Sequence, residues 1–281
     1  MDFISPAQIK RIASRYGFVF KKGLGQNFLS SQSVLEEIAD AAEIENKGVM
    51  EIGPGFGVLT NELAKRARKV LALEIDDRLI PILADTLSEY DNVKIVNQDV
   101  LKADLQKLIK DEFKDEKISV AANLPYYITT PIITTLIEGG LPLNNLVVMV
   151  QKEVADRIVA EPDSKNYGAI SVLCQYYTEV ELVTVVGADL FVPPPKVDSA
   201  VVRMKFRNTP AVSVKDEKMF FRTVKAAFSQ RRKTLLNCLV SNFTQTKSEL
   251  AEILESVGID PTRRGETLSL SEFAALSDML S

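Results

Sequence analysis

The chain has 281 residues, of which 46% are hydrophobic and 26% are charged, enough to bury the core of one large domain and a small one. It contains no histidine and two cysteines, which excludes a Ser-His-Asp triad and a Cys-His nucleophile pair and leads us to expect no metal site. The net charge of −4 argues against a uniformly basic surface for nucleic acid, so any such surface must be local.

The N-terminal segment is the first of two locally basic stretches. Up to Leu35 its charged residues are one acid and five bases, namely Asp2, Lys10, Arg11, Arg15, Lys21 and Lys22. The segment lacks the charged start, apolar run and cleavage site of a signal peptide. No stretch of the chain approaches the roughly 20 uninterrupted apolar residues that cross a bilayer. We therefore predict a cytoplasmic protein with no membrane partner.

Between Gly48 and Gln151, short runs rich in β-branched residues alternate with amphipathic segments. Strands are predicted at Gly48–Ile52, Lys69–Leu73, Val93–Val96, Ile118–Ala122 and Leu146–Val150. Helical patterns such as Leu59–Arg66 and Leu79–Glu89 lie between them. This alternation predicts an α/β domain with a parallel sheet covered on both faces. Such sheets bind ligands at the carboxyl ends of their strands.

A glycine-rich turn follows the first of these strands, in the sequence Val49-Met-Glu-Ile-Gly-Pro-Gly-Phe-Gly-Val-Leu-Thr60. Gly53 and Gly55 allow a sharp turn and let a ligand approach the backbone closely. A dinucleotide-binding motif would place a third glycine where this chain has Val58, which disfavours a pyrophosphate at the helix. The turn therefore predicts a cofactor without phosphate, and Glu51 is expected to lie near it.

Acidic residues follow the next two strands. Glu74 ends the second strand, where an acid in such folds accepts hydrogen bonds from both ribose hydroxyls. Asp99 follows the third strand, where it can meet an adenine edge. One acid at a strand end is usually only solvated, but these acids and the glycine turn would meet at one edge of the sheet. Together they describe a nucleoside cofactor without phosphate, and S-adenosylmethionine fits best.

The fourth strand leads into Asn123-Leu-Pro-Tyr126. An adenine N6 amine is a poor nucleophile because its lone pair is delocalised into the ring. The Asn123 side-chain oxygen and the Leu124 carbonyl can accept hydrogen bonds from its two N–H groups, which aims the lone pair at the methyl group. Pro125 fixes the loop, and Tyr126 offers a face on which the base can stack. The alternative is an Asx turn with the tyrosines in the core.

Two further strands, Glu179–Val186 and Val197–Phe206, flank a loop that runs from Phe191 through three prolines. Consecutive prolines prevent a helix and favour a stiff, extended loop. Phe191 is predicted as a second stacking surface for the target base, with core packing as the alternative. The pattern becomes wholly helical after about residue 208. We predict a cofactor-binding domain at 1–207 and a small helical RNA-binding domain at 208–281.

The small domain is predicted to contain helices at Glu217–Phe228, Arg231–Phe243, Lys247–Val257 and Ser271–Met279. A second basic stretch, Lys218–Asn237, contains no acid. The usual fate of such a run is a solvated helix face, but a polyanion responds to the local field. We predict that both basic stretches contact RNA phosphates without reading bases, through Lys21, Lys22, Arg222, Lys225, Arg231, Arg232 and Lys233.

Segments across nearly the whole chain resemble one family. They are Gly25-Gln-Asn-Phe-Leu29, Glu51-Ile-Gly-Pro-Gly55, Asn123-Leu-Pro-Tyr126, Gln151-Lys-Glu-Val154, Phe191-Val-Pro-Pro-Pro-Lys-Val-Asp-Ser-Ala-Val-Val202 and Phe228-Ser-Gln-Arg-Arg-Lys233. The chain resembles the ribosomal RNA adenine N6,N6-dimethyltransferases, which modify two adjacent adenosines near the 3′ end of the 16S rRNA of the small subunit. The glycine motif is common to many methyltransferases, whereas Asn-Leu-Pro-Tyr together with the proline loop is specific.

The resemblance implies a Rossmann-like class I S-adenosylmethionine methyltransferase sheet with a small C-terminal helical domain. It assigns cofactor contacts to Asn27 and Leu29, on a segment that closes over the cofactor. It also places Gly53, Glu74, Asp99 and Asn123 in the cofactor pocket. It further implies that two methyl groups are transferred to each adenosine and that the protein acts in small-subunit assembly. We expect a monomer, because no heptad pattern or exposed apolar stripe stands out.

Two alternatives stay open. The first is a sister enzyme, either a large-subunit adenine methyltransferase of the macrolide-resistance type or a DNA adenine methyltransferase. The DNA enzymes usually carry Asp or Asn before Pro-Pro-Tyr, whereas this chain has Leu124 before a single proline. The resistance enzymes match the proline loop less well. The second alternative is an RNA-binding assembly factor whose methylation is incidental.

Overall fold

The computed structural model describes residues 5–19 and 27–281, and the chain divides into two compact units. The first unit contains the chain up to Ala155 together with Glu181–Phe206, and the second contains Asp156–Val180 and Arg207–Ser281. The last of these divisions falls between residues 206 and 207, next to the predicted boundary between 207 and 208. The segment Asp156–Val180, which the sequence placed in the first domain, supplies buried tyrosines to the core of the second unit.

Nine strands are found in the described residues. They are β1 (Phe28–Leu29), β2 (Gly48–Ile52), β3 (Lys69–Glu74), β4 (Val93–Asn97), β5 (Ile118–Asn123), β6 (Leu143–Gln151), β7 (Thr178–Val186), β8 (Phe191–Val192) and β9 (Ser199–Phe206). Seven of them form one sheet in the order β4-β3-β2-β5-β6-β9-β7. The other two, β1 and β8, pair antiparallel as a separate small sheet.

Twelve α-helices accompany these strands in the same residues. They are α1 (Pro6–Arg15), α2 (Gln32–Ala42), α3 (Val58–Arg66), α4 (Ile80–Thr86), α5 (Leu105–Phe113), α6 (Thr129–Glu138), α7 (Lys152–Ile158), α8 (Ala169–Tyr177), α9 (Glu217–Ala227), α10 (Leu235–Val240), α11 (Lys247–Ser256) and α12 (Leu270–Leu280). Capping boxes start α11 at Thr246 and α12 at Ser269, which satisfies their free N–H groups. Within 5–19 and 27–281, no helix combines the length and apolar character needed to span a bilayer.

The order of the strands creates one reversal of direction in the sheet. Strands β2, β3 and β4 follow one another outward on one side, after which the chain crosses back to β5 and β6 on the other side. All of these neighbours are parallel, and Ile52 at the end of β2 pairs with Ala122 near the end of β5. The reversal between β2 and β5 is where open α/β sheets bind ligands. Strand β9 then adds antiparallel to β6.

Burial explains why the central strands are continuous apolar runs. All five residues of β2 are buried, and so are the last five of β3 and the first five of β5. Helices cover both faces of a sheet of this kind, so alternate positions on the strand are equally apolar. Strand β4 lies at the edge and has no fully buried residue. The α/β class and the predicted parallel strands between Gly48 and Gln151 are confirmed.

Helix α10 differs from its prediction. It begins at Leu235 rather than Arg231, because the Thr234 side chain accepts a hydrogen bond from the Asn237 N–H and caps the helix there. The basic residues Arg231–Lys233 therefore lie in the turn that precedes α10 and are not part of a helix face.

Gly265→Ala should destabilise the second unit by about 1–3 kcal/mol, because overpacking against rigid backbone forces a shift. A Cβ at Gly265 would lie 2.6 Å from the Ala227 carbonyl oxygen of α9. Gly168→Ala in the same unit is the control, since a Cβ there meets no atom within 4 Å. Its cost should be smaller, because only the N-cap preference for glycine is lost. Urea unfolding followed by circular dichroism gives both free energies, and equal losses would contradict the packing argument.

Candidate active site

A cavity lies at the carboxyl ends of β2, β3 and β5, where the sheet reverses direction. Most of the residues predicted for the site lie in its wall: Asn27, Leu29, Glu51, Gly53, Gly55, Glu74, Asn123, Leu124, Pro125 and Tyr126. They come from four separate parts of the sequence, and the sheet brings three of these together because parallel strands end at a common edge. The fourth part, Asn27 to Leu29, is contributed by the N-terminal region.

The glycine turn between β2 and α3 uses torsion angles that glycine adopts without strain. Gly53, Gly55 and Gly57 have φ of 69°, 61° and 85°, all in the left-handed region. A Cβ at Gly53 would meet no atom within 4 Å, whereas a Cβ at Gly55 would lie 2.6 Å from Cε1 of Phe28. The turn therefore leaves open space at Gly53 and packs tightly against Phe28 at Gly55.

Glu74 is the buried acid at the end of β3, with 4% of its surface exposed. Its Oε2 accepts a hydrogen bond from the Gly55 N–H at 3.2 Å, and its Oε1 accepts one from the Asp76 N–H at 2.8 Å. Burial raises the pKa of Glu74 above its usual value, these backbone donors oppose the rise, and the charge of Asp76 adds to it. A carboxylate oxygen can accept two hydrogen bonds, so each of the two Glu74 oxygens can still accept one from a ligand hydroxyl.

Glu51 is the second buried acid of the cavity, with 1% of its surface exposed. Its Oε2 has no hydrogen-bond partner among the described residues. Burial raises the pKa of Glu51 to about 8, the nearby Thr60 hydroxyl opposes the rise, and the charge of Glu74 adds to it. An unpartnered buried carboxyl is costly unless a ligand supplies a donor or a positive charge. Glu51 therefore indicates a cationic or hydrogen-bond-donating ligand.

Asn123 and Leu124 present two acceptors that the described part of the chain leaves unused. The Asn123 amide nitrogen donates to the Asn27 carbonyl at 3.1 Å, which fixes the orientation of the amide. The Leu124 N–H donates to the Met149 carbonyl at 3.1 Å and continues the pairing of β5 with β6. No hydrogen bond from residues 5–19 or 27–281 reaches Asn123 Oδ1 or the Leu124 carbonyl oxygen.

The tyrosines of the loop differ in exposure. The Tyr126 hydroxyl lies 2.7 Å from the Ser199 hydroxyl, which anchors the half-buried ring. Burial raises the pKa of Tyr126, and the hydrogen bond with Ser199 opposes the rise. Tyr127 is 54% exposed and also lines the cavity. Pro125 holds the loop to α6, because its carbonyl accepts a bond from the Thr129 hydroxyl at 3.1 Å.

Asn27 and Leu29 reach the cavity through the small sheet. Leu29 pairs with Phe191, and Phe28 pairs with Val192, in antiparallel register. Ser30 extends this pairing by donating its N–H to the Leu190 carbonyl at 2.8 Å. The proline loop therefore supports the N-terminal segment that carries Asn27.

Two predicted site residues do not lie in the wall of the cavity. The Phe191 ring is 2% exposed and belongs to the hydrophobic core, so it offers no face for a base. The ring of Phe191 is buried where β8 pairs with β1, which agrees with the alternative that Phe191 packs in the core. The Asp99 carboxylate accepts a bond from the Leu101 N–H at 3.0 Å and lies 3.7 Å from Lys102 Nζ.

The basic residues of the second unit fall into two groups. Arg222 donates to the Asn242 carbonyl at 3.1 Å, and its guanidinium lies 4.6 Å from the centroid of the Phe243 ring. Arg231 donates to the Lys165 carbonyl. Among the residues of this unit predicted to contact RNA, the side chains of Lys225, Arg232 and Lys233 have no ion pair or hydrogen bond to any described residue, and all three are exposed. Lys21 and Lys22 lie outside the described residues.

Sequence patterns missed two cavity residues that the structure exposes. Ile75 is 51% exposed directly after Glu74, and Tyr127 follows Tyr126. The signal available for Ile75 was an apolar residue beyond the end of a buried strand. Tyr127 was inside the motif, but a pattern of letters does not distinguish which of two adjacent aromatic rings faces the cavity.

The whole chain is similar to proteins that modify ribosomal RNA. A family model described as "Ribosomal RNA adenine dimethylase" matches residues 17–276. Ribosomal RNA small subunit methyltransferase A of Geobacillus thermodenitrificans is 55% identical over 284 residues, covering 99% of this chain and 97% of that protein. A dimethyladenosine transferase structure from Plasmodium falciparum has a TM-score of 0.74 and 27% identity, covering 89% of this chain and 95% of that chain. The 23S rRNA methyltransferase ErmE has a TM-score of 0.69 and 28% identity, covering 90% and 99% respectively.

Glu51→Gln should remove a loss of stability that the unliganded protein suffers as pH rises. The folded state holds the Glu51 proton up to a pKa of about 8, against an ordinary value of 4.5. Since the folded state binds the proton more tightly than the unfolded state, the stability falls between these pKa values as pH increases. Urea unfolding of both proteins at several pH values between the two should show an advantage for Glu51→Gln that grows with pH. Parallel curves would contradict the buried, protonated carboxyl.

Proposed function

Because the chain belongs to the ribosomal RNA adenine dimethylase family, we propose that it transfers methyl groups to the N6 amines of two adjacent adenosines in the 3′-terminal hairpin loop of 16S rRNA. It is an enzyme that takes these methyl groups from S-adenosylmethionine. Relatives at 55% identity are named small-subunit methyltransferases, whereas ErmE, named for 23S rRNA, is 28% identical. This difference favours the small subunit over the large subunit.

The observation that carries the chemistry is the pair of unused acceptors, Asn123 Oδ1 and the Leu124 carbonyl, in a cavity that also contains Glu74. In the proposal these two acceptors receive the two N–H groups of the target amine. Its lone pair is then directed away from the ring and toward the methyl group. Tyr126 and the exposed Tyr127 provide aromatic faces for a base that has left its stack.

The charges and donors of the cavity suit S-adenosylmethionine, which carries an ammonium group and a sulfonium. Glu51 has an unpartnered oxygen for the ammonium group, and a cation beside this carboxyl would lower its pKa. Glu74 would accept the ribose hydroxyls. Gly53 leaves the backbone accessible, and Asn27, Leu29 and Gly55 flank the site. Asp99 remains a proposed contact to the adenine of the cofactor, because it follows strand β4. Phe191 is not included among the proposed contacts to the target base, because its ring is buried.

S-adenosylmethionine supplies a methyl group that is already activated by its positive sulfur. The residues of the chain then need only to hold the amine in line and to exclude water. Such positioning can account for a large share of the rate enhancement. The methylated ammonium is acidic and loses its proton to water, so no imidazole is required. This agrees with a chain that contains no histidine.

RNA contacts in the second unit are proposed for the exposed residues Lys225, Arg232 and Lys233, with Arg231 beside them. Arg222 is partly engaged by the Phe243 ring, and Lys21 and Lys22 stay predictions on the N-terminal side. These residues would position RNA through phosphates without reading its sequence. We expect a cytoplasmic monomer that acts during small-subunit assembly.

The test of the function uses methyl-labelled S-adenosylmethionine and small ribosomal subunits from cells that lack this modification. Large subunits and DNA serve as parallel substrates, and the modified nucleosides are identified by mass spectrometry. We expect N6,N6-dimethyladenosine in small-subunit RNA alone. Label in large subunits or DNA would assign the chain to a sister enzyme, and particle binding without label would favour the assembly factor.

Asn123→Ala in the same assay should lower kcat by roughly 10²–10³, the usual loss when one positioned hydrogen-bonding group at a reacting centre is removed. Asn144→Ala is a matched control, because Asn144 also donates its amide to a backbone carbonyl, that of Lys117, at 3.1 Å. Asn144 does not line the cavity, so its replacement should leave kcat unchanged. Equal effects of the two variants would argue against a role for Asn123 in the reaction.

A double variant, Arg232→Ala with Lys233→Ala, should weaken RNA binding and flatten its dependence on salt. Loss of two phosphate contacts reduces the slope of log K against log salt by about 2. The control is a second double variant, Lys47→Ala with Lys114→Ala, which removes the same charge. Both residues are exposed and precede the amino ends of strands β2 and β5, whereas the cavity lies at the carboxyl ends. Binding to a small-subunit RNA fragment is measured at several salt concentrations. A slope that changes equally in both double variants would reflect net charge alone.

A further inference from the structure

Arg78 binds the turn that follows the Glu74 strand. Its Nε donates to Asp76 Oδ1 at 2.8 Å, and its Nη2 pairs with Asp76 Oδ2, which gives a two-point contact between a guanidinium and a carboxylate. The Asp76 side chain is 3% exposed. A buried carboxylate of this kind depends on a cation held in fixed geometry. Asp76 in turn donates its N–H to Glu74 Oε1 at 2.8 Å.

The same guanidinium binds the N-terminal region. Its Nη1 donates to the Val19 carbonyl at 3.2 Å, and its central carbon lies 4.7 Å from the centroid of the Phe18 ring. A guanidinium over an aromatic face gains energy from the negative face of the ring. We call Phe18, Val19, Asp76 and Arg78 the N-terminal clamp. It joins two segments of the first unit that are far apart in sequence.

A row of aromatic rings completes the connection to the glycine turn. Phe18 meets Phe56 edge to face with centroids 5.2 Å apart, and Phe56 stacks on Phe28 at 4.3 Å. Phe28 fills the space beside Gly55, where a Cβ would clash with it at 2.6 Å. The Gly55 N–H donates to Glu74 Oε2 at 3.2 Å. The contacts therefore form a closed circuit that starts and ends at the Glu74 carboxylate.

We propose that Arg78 is a positioning residue for the nucleoside part of S-adenosylmethionine. Through the N-terminal clamp, it fixes the Glu74 carboxylate relative to the Phe28 ring, which lies in the wall of the cavity. This inference rests on the proposed function, since it takes Glu74 as the acceptor of the ribose hydroxyls. Arg78 is not itself in the wall of the cavity. It acts through Asp76 on one side of the circuit and through Phe18 on the other.

Charge supports the same role. The negative charge of Asp76 contributes to the raised pKa of Glu74. Arg78 offsets that charge at close range, so its removal would leave the buried Asp76 carboxylate next to Glu74 without this cation. Glu74 would then hold a proton more readily and accept hydrogen bonds from hydroxyl groups less well. The guanidinium thus keeps both the orientation and the ionisation of Glu74 suited to a ribose.

The test measures the affinity of the full chain for S-adenosylhomocysteine by titration calorimetry, which requires no RNA. Arg78→Ala should raise the Kd about tenfold, the scale expected when a charge-assisted contact is lost. The KM for S-adenosylmethionine should rise similarly, while kcat at saturation stays within about twofold, because the target amine is held by other residues. Arg78→Lys keeps the charge but not the two-point contact, so it should bind with intermediate affinity.

Arg15→Ala is the matched control. Arg15 also ties the N-terminal helix α1 to another part of the first unit, helix α4, at 3.3 Å from Asp85, but it contacts neither Asp76 nor Phe18. Its Kd should stay within about twofold of the unmodified chain, as for an exposed ion pair. Phe18→Leu should also weaken binding, and its effect should not add to that of Arg78→Ala, since both break one circuit.

Three results would each overturn the inference. The affinity for S-adenosylhomocysteine could be unchanged in Arg78→Ala, or Arg15→Ala could weaken binding as much as Arg78→Ala does. The losses caused by Arg78→Ala and Phe18→Leu could also be strictly additive in the double variant. If Arg78→Ala does not fold, Arg78→Lys carries the test, and an affinity equal to that of the unmodified chain would overturn it. Failure of the unmodified chain itself to bind S-adenosylhomocysteine would instead count against the proposed function. The two failures are therefore distinguishable in one set of titrations.

Discussion

The arrangement of the cavity depends on how one buried carboxylate, Glu74, is held. Its two oxygens accept backbone N–H groups from Gly55 and Asp76, which belong to the turns after neighbouring strands. The bond from Gly55 is possible because the glycine turn adopts left-handed torsion angles. The parallel pairing of β2 with β3 brings both turns to one edge. Sheet order, turn conformation and side-chain ionisation are thus linked through a single group.

The second general property of the site is an excess of buried acid. Glu51, Glu74 and Asp76 are all buried at the ends of two adjacent strands, and Arg78 pairs with Asp76. Burying carboxylates raises the free energy of the unliganded protein unless donors or cations compensate. A positively charged ligand removes part of that cost. The electrostatics of the pocket therefore favour a cationic ligand.

The sequence was sufficient where local chemistry decides the structure. Glu74 and Asn123 were placed in one cavity because both stand at the ends of strands that meet at one edge of a parallel sheet. Phe191 was predicted to face the target base, but its ring is buried where the strand pairs with Leu29, a contact between distant segments that no local pattern reports. The start of α10 was misplaced because the capping by Thr234 outweighed the charge pattern. The clamp at Arg78 was also invisible, since it depends on tertiary packing.

The fixed amide of Asn123 has a consequence for how successive transfers differ. Its nitrogen is bound to the Asn27 carbonyl, so the group cannot rotate to exchange oxygen for nitrogen during turnover. An unmodified adenine amine has two N–H groups for the proposed pair of acceptors, but a monomethylated amine has one. One acceptor must then be desolvated without a partner, or bind water, while the second methyl is transferred. Under the proposed mechanism, the half-modified amine is held by fewer hydrogen bonds than the unmodified amine, and the dimethylated product by none. Retention of the intermediate until the second transfer therefore depends on the walls of the cavity and on the bound RNA.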